Sequence, residues 1–143
     1  MVKINMNTNG EQRNVFKALP KGDYNANIIS TTLSLEKRPT LIVEFQLIGE
    51  KSVNGAMLNN RKEKYRILLD SEYTVKILKN LFEATDYHYG DELDVEQLVK
   101  ESELVGKMCT VHLDETTFLG RDGQQKPCNR VKYVKKFDFN TLA

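Results

Sequence analysis

The spacing of apolar residues changes period twice along this chain, and that rules out most architectures. Residues 41–48 alternate strictly, with Leu41, Val43, Phe45 and Leu47 on one side and Glu44 and Gln46 on the other. Successive side chains of a strand point to opposite faces, so this is a half-buried strand. At Ser71 the period lengthens. Val75, Ile77, Leu78, Leu81 and Phe82 recur at helical spacing up to Ala84, and Ser71 or Asp70 can cap the start by accepting from unpaired backbone N–H groups. A second short helix is signalled by the capping pair Asp94 and Gln97, with Leu93 and Leu98 placed as a hydrophobic staple. Leu98 and Val99 form its inner stripe, Leu104 lies near its end, and Gly106 stands where a C-terminal cap belongs. Alternation returns over residues 107–113, where Cys109, Val111 and Leu113 share a face.

Three further segments read as strands. Tyr24, Ala26 and Ile28 alternate over residues 24–29, after the turn signal Pro20-Lys21-Gly22-Asp23. Residues 58–69 pair back onto residues 41–48 across a loop marked by Gly49 and Asn54-Gly55. Residues 129–137 follow the turn Gly120-Arg121-Asp122-Gly123. Residues 1–19 read as an N-terminal arm anchored by Val15, Phe16 and Leu19. Residues 20–137 form one domain with a helical insert at about 71–105, and residues 138–143 are a short tail. The order is three strands, a helical insert and two strands. That is the order of a five-stranded oligonucleotide-binding (OB) barrel, mainly β with one or two helices between strands 3 and 4. Such a fold does not by itself specify a function.

At 143 residues the chain makes a single domain large enough to bury a core without disulfides or metals. No apolar run approaches the roughly 20 residues of a membrane span, and the start lacks a secretory stretch. A cytoplasmic protein is therefore expected, with Cys109 and Cys128 as reduced, packed thiols; a disulfide between neighbouring strands is the alternative. The formal charge is only +1, but it is segregated. Residues 123–137 contain no acid and carry Lys126, Arg130, Lys132, Lys135 and Lys136. Residues 61–66 add Arg61, Lys62, Lys64 and Arg66. Acids gather in the insert, from Glu83 to Glu103. Lysines can simply blunt exposed strand edges. Two basic, tyrosine-bearing strands in one chain point instead to a polyanion site.

Several segments together resemble a known family. These are residues 22–28 (Gly22-Asp23-Tyr24-Asn25-Ala26-Asn27-Ile28), 41–45, 55–60, Val105-Gly106-Lys107, and Cys128-Asn129-Arg130-Val131-Lys132-Tyr133. Their order and spacing are similar to those of a bacteriophage family long known only as a domain of unknown function. Its members lie in DNA replication and recombination modules and are regarded as OB-type single-stranded-DNA-binding proteins. The likeness spans residues 16–137. It implies a DNA-binding function in the bacterial host cytoplasm, in DNA replication or DNA recombination. One departure is the end of the chain, Phe137-Asp138-Phe139-Asn140-Thr141-Leu142-Ala143, which lacks the acidic tail of many such proteins. Recruitment through a tail is thus in doubt. Phe137 and Phe139 either hook a partner or cover the barrel's edge.

Single strands present phosphates, which need cations, and unpaired bases, which need flat rings. Residues 61–66 supply both. Arg61, Glu63, Tyr65 and Ile67 share one face, and Lys62, Lys64, Arg66 and Leu68 the other. Strict alternation cannot put all four cations beside Tyr65, whereas a bulge would bring more of them near. Tyr65 is either a stacking ring or a core ring, and its cations either phosphate contacts or solvated surface. In the last strand Val131 and Tyr133 are expected inside, with Arg130 and Lys132 facing out; Tyr133 is also a candidate stacking ring. Lys37 and Arg38 in the first connection, and Lys126 before the last strand, lie where OB loops flank a ligand. Phe118 is a stacking ring on a loop or half of a Phe-Leu hairpin patch.

No nucleotide-loop, nucleophile-elbow or zincin motif is present, and His88 and His112 complete no metal pattern. No catalytic role, cofactor or metal is expected. Asp114 and Glu115 are the weak exception, as ligands of a nuclease metal. The partner expected is single-stranded DNA, together with phage or host replication and recombination proteins or a second copy in a homodimer. The competing reading is a protein-interaction adaptor whose basic strands recognise an acidic peptide.

Overall fold

The computed structural model describes residues 18–49, 52–53, 56–57 and 61–138. Seven strands and two helices occur among them. In chain order they are β1 (Gly22–Ser34), β2 (Thr40–Leu47), β3 (Ser52–Val53), β4 (Ala56–Met57), β5 (Lys62–Leu68), α1 (Thr74–Ala84), α2 (Val95–Lys100), β6 (Met108–Leu119) and β7 (Gln125–Lys135). Five strands form one antiparallel sheet in the order β5-β2-β1-β6-β7, and β3 and β4 pair with each other. Both helices fall between the third and fourth strands of the large sheet, as the change of period implies. The sheet is open, with β5 and β7 as its edges.

β2 buries Leu41, Val43, Phe45 and Leu47 in strict alternation. Ala26, Ile28, Ile67, Cys109, Val111, Leu113, Val131 and Val134 join them in one core. α1 packs across β7 and β5 and closes that core with Leu78, Leu81 and Phe82. Val75 proves to be exposed rather than part of the apolar stripe, because the helix docks through Thr74, Leu78, Leu81 and Phe82. Its start also differs from expectation. Tyr73 is the N-cap and provides no side-chain bond; Asp70 is held by Arg38, and Ser71 Oγ accepts from the Tyr73 N–H at 3.1 Å in the preceding turn. α2 is capped as expected, Asp94 accepting from the Gln97 N–H at 3.1 Å. The Gln97 side chain does not complete the box but reaches Glu101. Gly106 (φ 90°) caps no helix. It turns the chain into β6, and its N–H donates to Ile28 at 2.8 Å.

The strands outrun the apolar pattern. β1 continues through Ser30-Thr31-Thr32-Leu33-Ser34, and β6 and β7 extend into a hairpin whose turn is at 120–124. Leu19 is fully buried, as an anchor should be, while Val15, Phe16, Asn54-Gly55 and Phe139 lie outside the described residues. Cys109 and Cys128 are free thiols. Cys128 pairs with Thr116, seven residues along β6 from Cys109, so about 23 Å of strand separates them. No described helix is long and apolar enough to cross a membrane.

Candidate nucleic-acid interface

β5 keeps strict alternation and has no bulge. Lys62, Lys64 and Arg66 are exposed, Ile67 is buried, and Glu63 and Tyr65 are half-buried. Burial pushes the Tyr65 phenol above its ordinary pKa. The bulge that gathers cations lies in β7 instead. Leu113 pairs with Val131 and His112 with Tyr133, leaving Lys132 as the extra residue. That single insertion reverses the phase of the strand. Val131 and Val134 point inward, so Lys132 and Tyr133 are exposed in succession. Tyr133 is therefore not the core ring that uninterrupted alternation would make it, but 41% exposed.

The two edge strands form the walls of a cleft of about 430 Å3. Lys64, Tyr65 and Arg66 stand on one side and Arg130, Val131 and Lys132 on the other, with Ile77 of α1 between. A second cleft of about 350 Å3 continues it, sharing Tyr65, Ile77 and Lys132 and adding Tyr73, Lys76, Asn80 and Tyr133. Among the described residues, no acid lines either one. Among the described residues, Lys64, Arg66, Lys76 and Lys132 make no ion pair, so their charge is available to a ligand. Tyr73 and Lys76 were not legible as site residues. They reach the cleft only because α1 lies across both strands.

Tyr133 is held in place from beneath. Its ring stacks on His112 with centroids 4.8 Å apart and planes 2° from parallel. His112 Nδ1 lies 2.7 Å from Asp23 Oδ1, and Nε2 lies 3.4 Å from Asp114 Oδ1. Lys135 Nζ lies 2.7 Å from the other Asp23 oxygen. Hydrogen bonds from Lys135, then His112, hold the Asp23 carboxyl below the usual carboxylate range. Lys135 is thus committed to Asp23. Arg130 approaches Asp114 at 3.6 Å yet stays two-thirds exposed, so its guanidinium can still reach a phosphate. Asp114 Oδ1 is buried without a hydrogen-bond donor among the described residues.

The other candidates lie apart from this cleft. Arg61 faces inward at 12% exposure, 3.6 Å from Glu63 and donating to Asn129 Oδ1 at 3.2 Å. It links the two sheet edges. Burial raises the Glu63 carboxyl above its ordinary value, and the Arg61 charge opposes that rise. Lys62 shares the outer face of β5 but lines neither cleft. Arg38 forks onto Asp70 with contacts of 2.7–3.2 Å, in the same loop as exposed Lys37. Phe118 lies in β6 rather than on a loop, 49% exposed and paired with Lys126 across the hairpin. Lys126 in turn contacts Asp122 at 3.5 Å. Among the described residues no three His, Cys, Asp or Glu side chains converge as metal ligands; Asp114 faces the Arg130 guanidinium and the His112 ring.

No family model matches this chain, and no curated protein matches it either.

Proposed function

We propose that this protein binds single-stranded DNA through the β5–β7 cleft, without catalysis and largely without regard to sequence. The observation that carries the reading is the acid-free cleft in which Lys64, Arg66, Lys76, Arg130 and Lys132 surround Tyr65, Tyr73 and Tyr133. Cations neutralise phosphates and release their condensed counterions. The tyrosine rings offer faces to unpaired bases, at about 1–3 kcal/mol per stacked base. A duplex hides its base faces, so only a single strand can use both kinds of group.

The strand order supports an OB-type domain. The third, second, first, fourth and fifth strands of the large sheet stand side by side, the sequence of neighbours in an OB barrel, whose seam is between the third and fifth. Arg61 and Asn129 bond across that seam. The sequence resemblance to phage single-strand-binding proteins is the motive for extending the proposal to a role in replication or recombination.

Fluorescence anisotropy of a labelled thymine 30-mer and its duplex, over a salt series, tests the proposal. Five engaged phosphates give log K against log salt a slope of about −3.5 for a single strand. Single-strand binding at least tenfold tighter than duplex binding, with such a slope, is the expected result. Equal affinity for both, or a slope near zero, defeats the reading.

A further inference from the structure

A second groove lies where the connection after β1 meets the helical insert, and its chemistry is the opposite of the first. Leu33, Pro39, Leu69, Leu93 and Val95 line a space of about 670 Å3, together with Leu35, which is 68% exposed. That volume accommodates several aliphatic side chains. Among the described residues the polar lining is entirely acidic, Glu92, Asp94 and Glu96. Asp94 spends one oxygen on capping α2, whereas Glu92 and Glu96 are exposed. None of the three has a cation partner among the described residues. The nearest basic side chain in the loop sequence beside Pro39, Arg38, is bound by Asp70 through both oxygens and so does not neutralise the rim.

An exposed leucine on an apolar floor is a surface that gains by being covered. The carboxylates decide what covers it. They repel phosphates, which disfavours nucleic acid, and they attract lysine and arginine. We infer that this groove docks a basic, leucine-rich segment of a partner protein. The apolar side chains of that segment fill the space between Leu35 and Leu93 while its flanking cations meet Glu92 and Glu96. The groove shares no lining residue with the β5–β7 cleft, so partner and polyanion can be held together. The inference does not depend on what the cleft binds.

The probe is a fluorescein-labelled peptide of leucines and lysines at helical spacing, read by anisotropy on the full chain. Two control peptides replace the lysines by glutamate or the leucines by glycine. The expected result is saturable binding of the first peptide, at least tenfold weaker for both controls. Leu35→Ser should weaken it fivefold or more, and the double change Glu92→Lys with Glu96→Lys tenfold or more, with melting temperatures within a few degrees of the parent. Both sites are at the surface, so folding survives. Three outcomes overturn the inference. One is equal binding of the glycine peptide, which reduces the effect to bulk charge. Another is wild-type binding by both variants. The last is concentration-dependent self-association that Leu35→Ser abolishes, which would make a second copy the occupant.

Discussion

The two concave surfaces of this small domain differ in what they are made of and in how they are assembled. The β5–β7 cleft has a polar lining of lysine, arginine, tyrosine and asparagine, contributed by two sheet edges and a helix. The Leu35 groove is aliphatic with a carboxylate rim, and comes from the end of β1 and the connection after it, Leu69, and the start of α2 with the residues before it. A net charge of +1 conceals both, because each surface is strongly charged and the signs cancel. Net charge therefore says little here; the position of each charge on the folded sheet decides what can bind. The acidic insert is more than a solubilising face on this view. It keeps polyanions off one surface while leaving the other open.

The comparison is broken most severely by reversing charge in the cleft. Changing Arg130 and Lys132 together to glutamate should lower affinity for the thymine 30-mer by about 100-fold at low salt and flatten the salt slope by about 1.4, two phosphates' worth. Binding of the leucine–lysine peptide should stay within twofold. If both ligands weaken together, the surfaces are not separate. Tyr133→Ala comes next. Loss of one stacked base at about 1–3 kcal/mol corresponds to roughly 5- to 150-fold. Because no charge is removed, the salt slope should not change, and that is what separates stacking from screening. Tyr133→Phe should keep most of the affinity.

The smallest effect concerns stability in acid. Asp23 has its folded pKa depressed by Lys135 and His112. Its contribution is therefore complete above the unfolded value near 3.9 and is lost as pH falls through the lower folded value. The melting temperature should drop through this window, and Asp23→Asn should remove that part of the drop while costing some stability at neutral pH. A variant whose acid profile matches the parent would show that Asp23 does not carry it.

Where burial follows from side-chain chemistry alone, the fold was readable in advance. The alternation of β2, the cap at Asp94 and, apart from the exposed Val75, the helical stripe ending at Phe82 are local patterns that appear as read. The extent of β1 was not readable, since residues 30–34 are polar apart from Leu33 and their strand character follows from pairing with β2. The cleft was half readable. Lys64, Tyr65, Arg66, Arg130, Lys132 and Tyr133 were candidates, and they converge. The orientation of Tyr133 rests on a backbone insertion at Lys132 that no side-chain pattern announces. Arg61 looked like one more cation in a basic run, yet it turns inward because its position in the pleat faces Glu63 and Asn129. Tyr73 and Lys76 depend on where α1 docks, which is a tertiary fact.

Cross-linking a thymine 30-mer substituted with 5-iododeoxyuridine, followed by mapping of the modified peptides, tests the central claim most directly, because it reports where the bases lie. The account predicts adducts at Tyr133 and at Tyr73 or Tyr65, lost when salt is raised enough to dissociate the complex. Adducts confined to the Phe118 hairpin or to the Leu35 groove, with none on the three tyrosines, would contradict it.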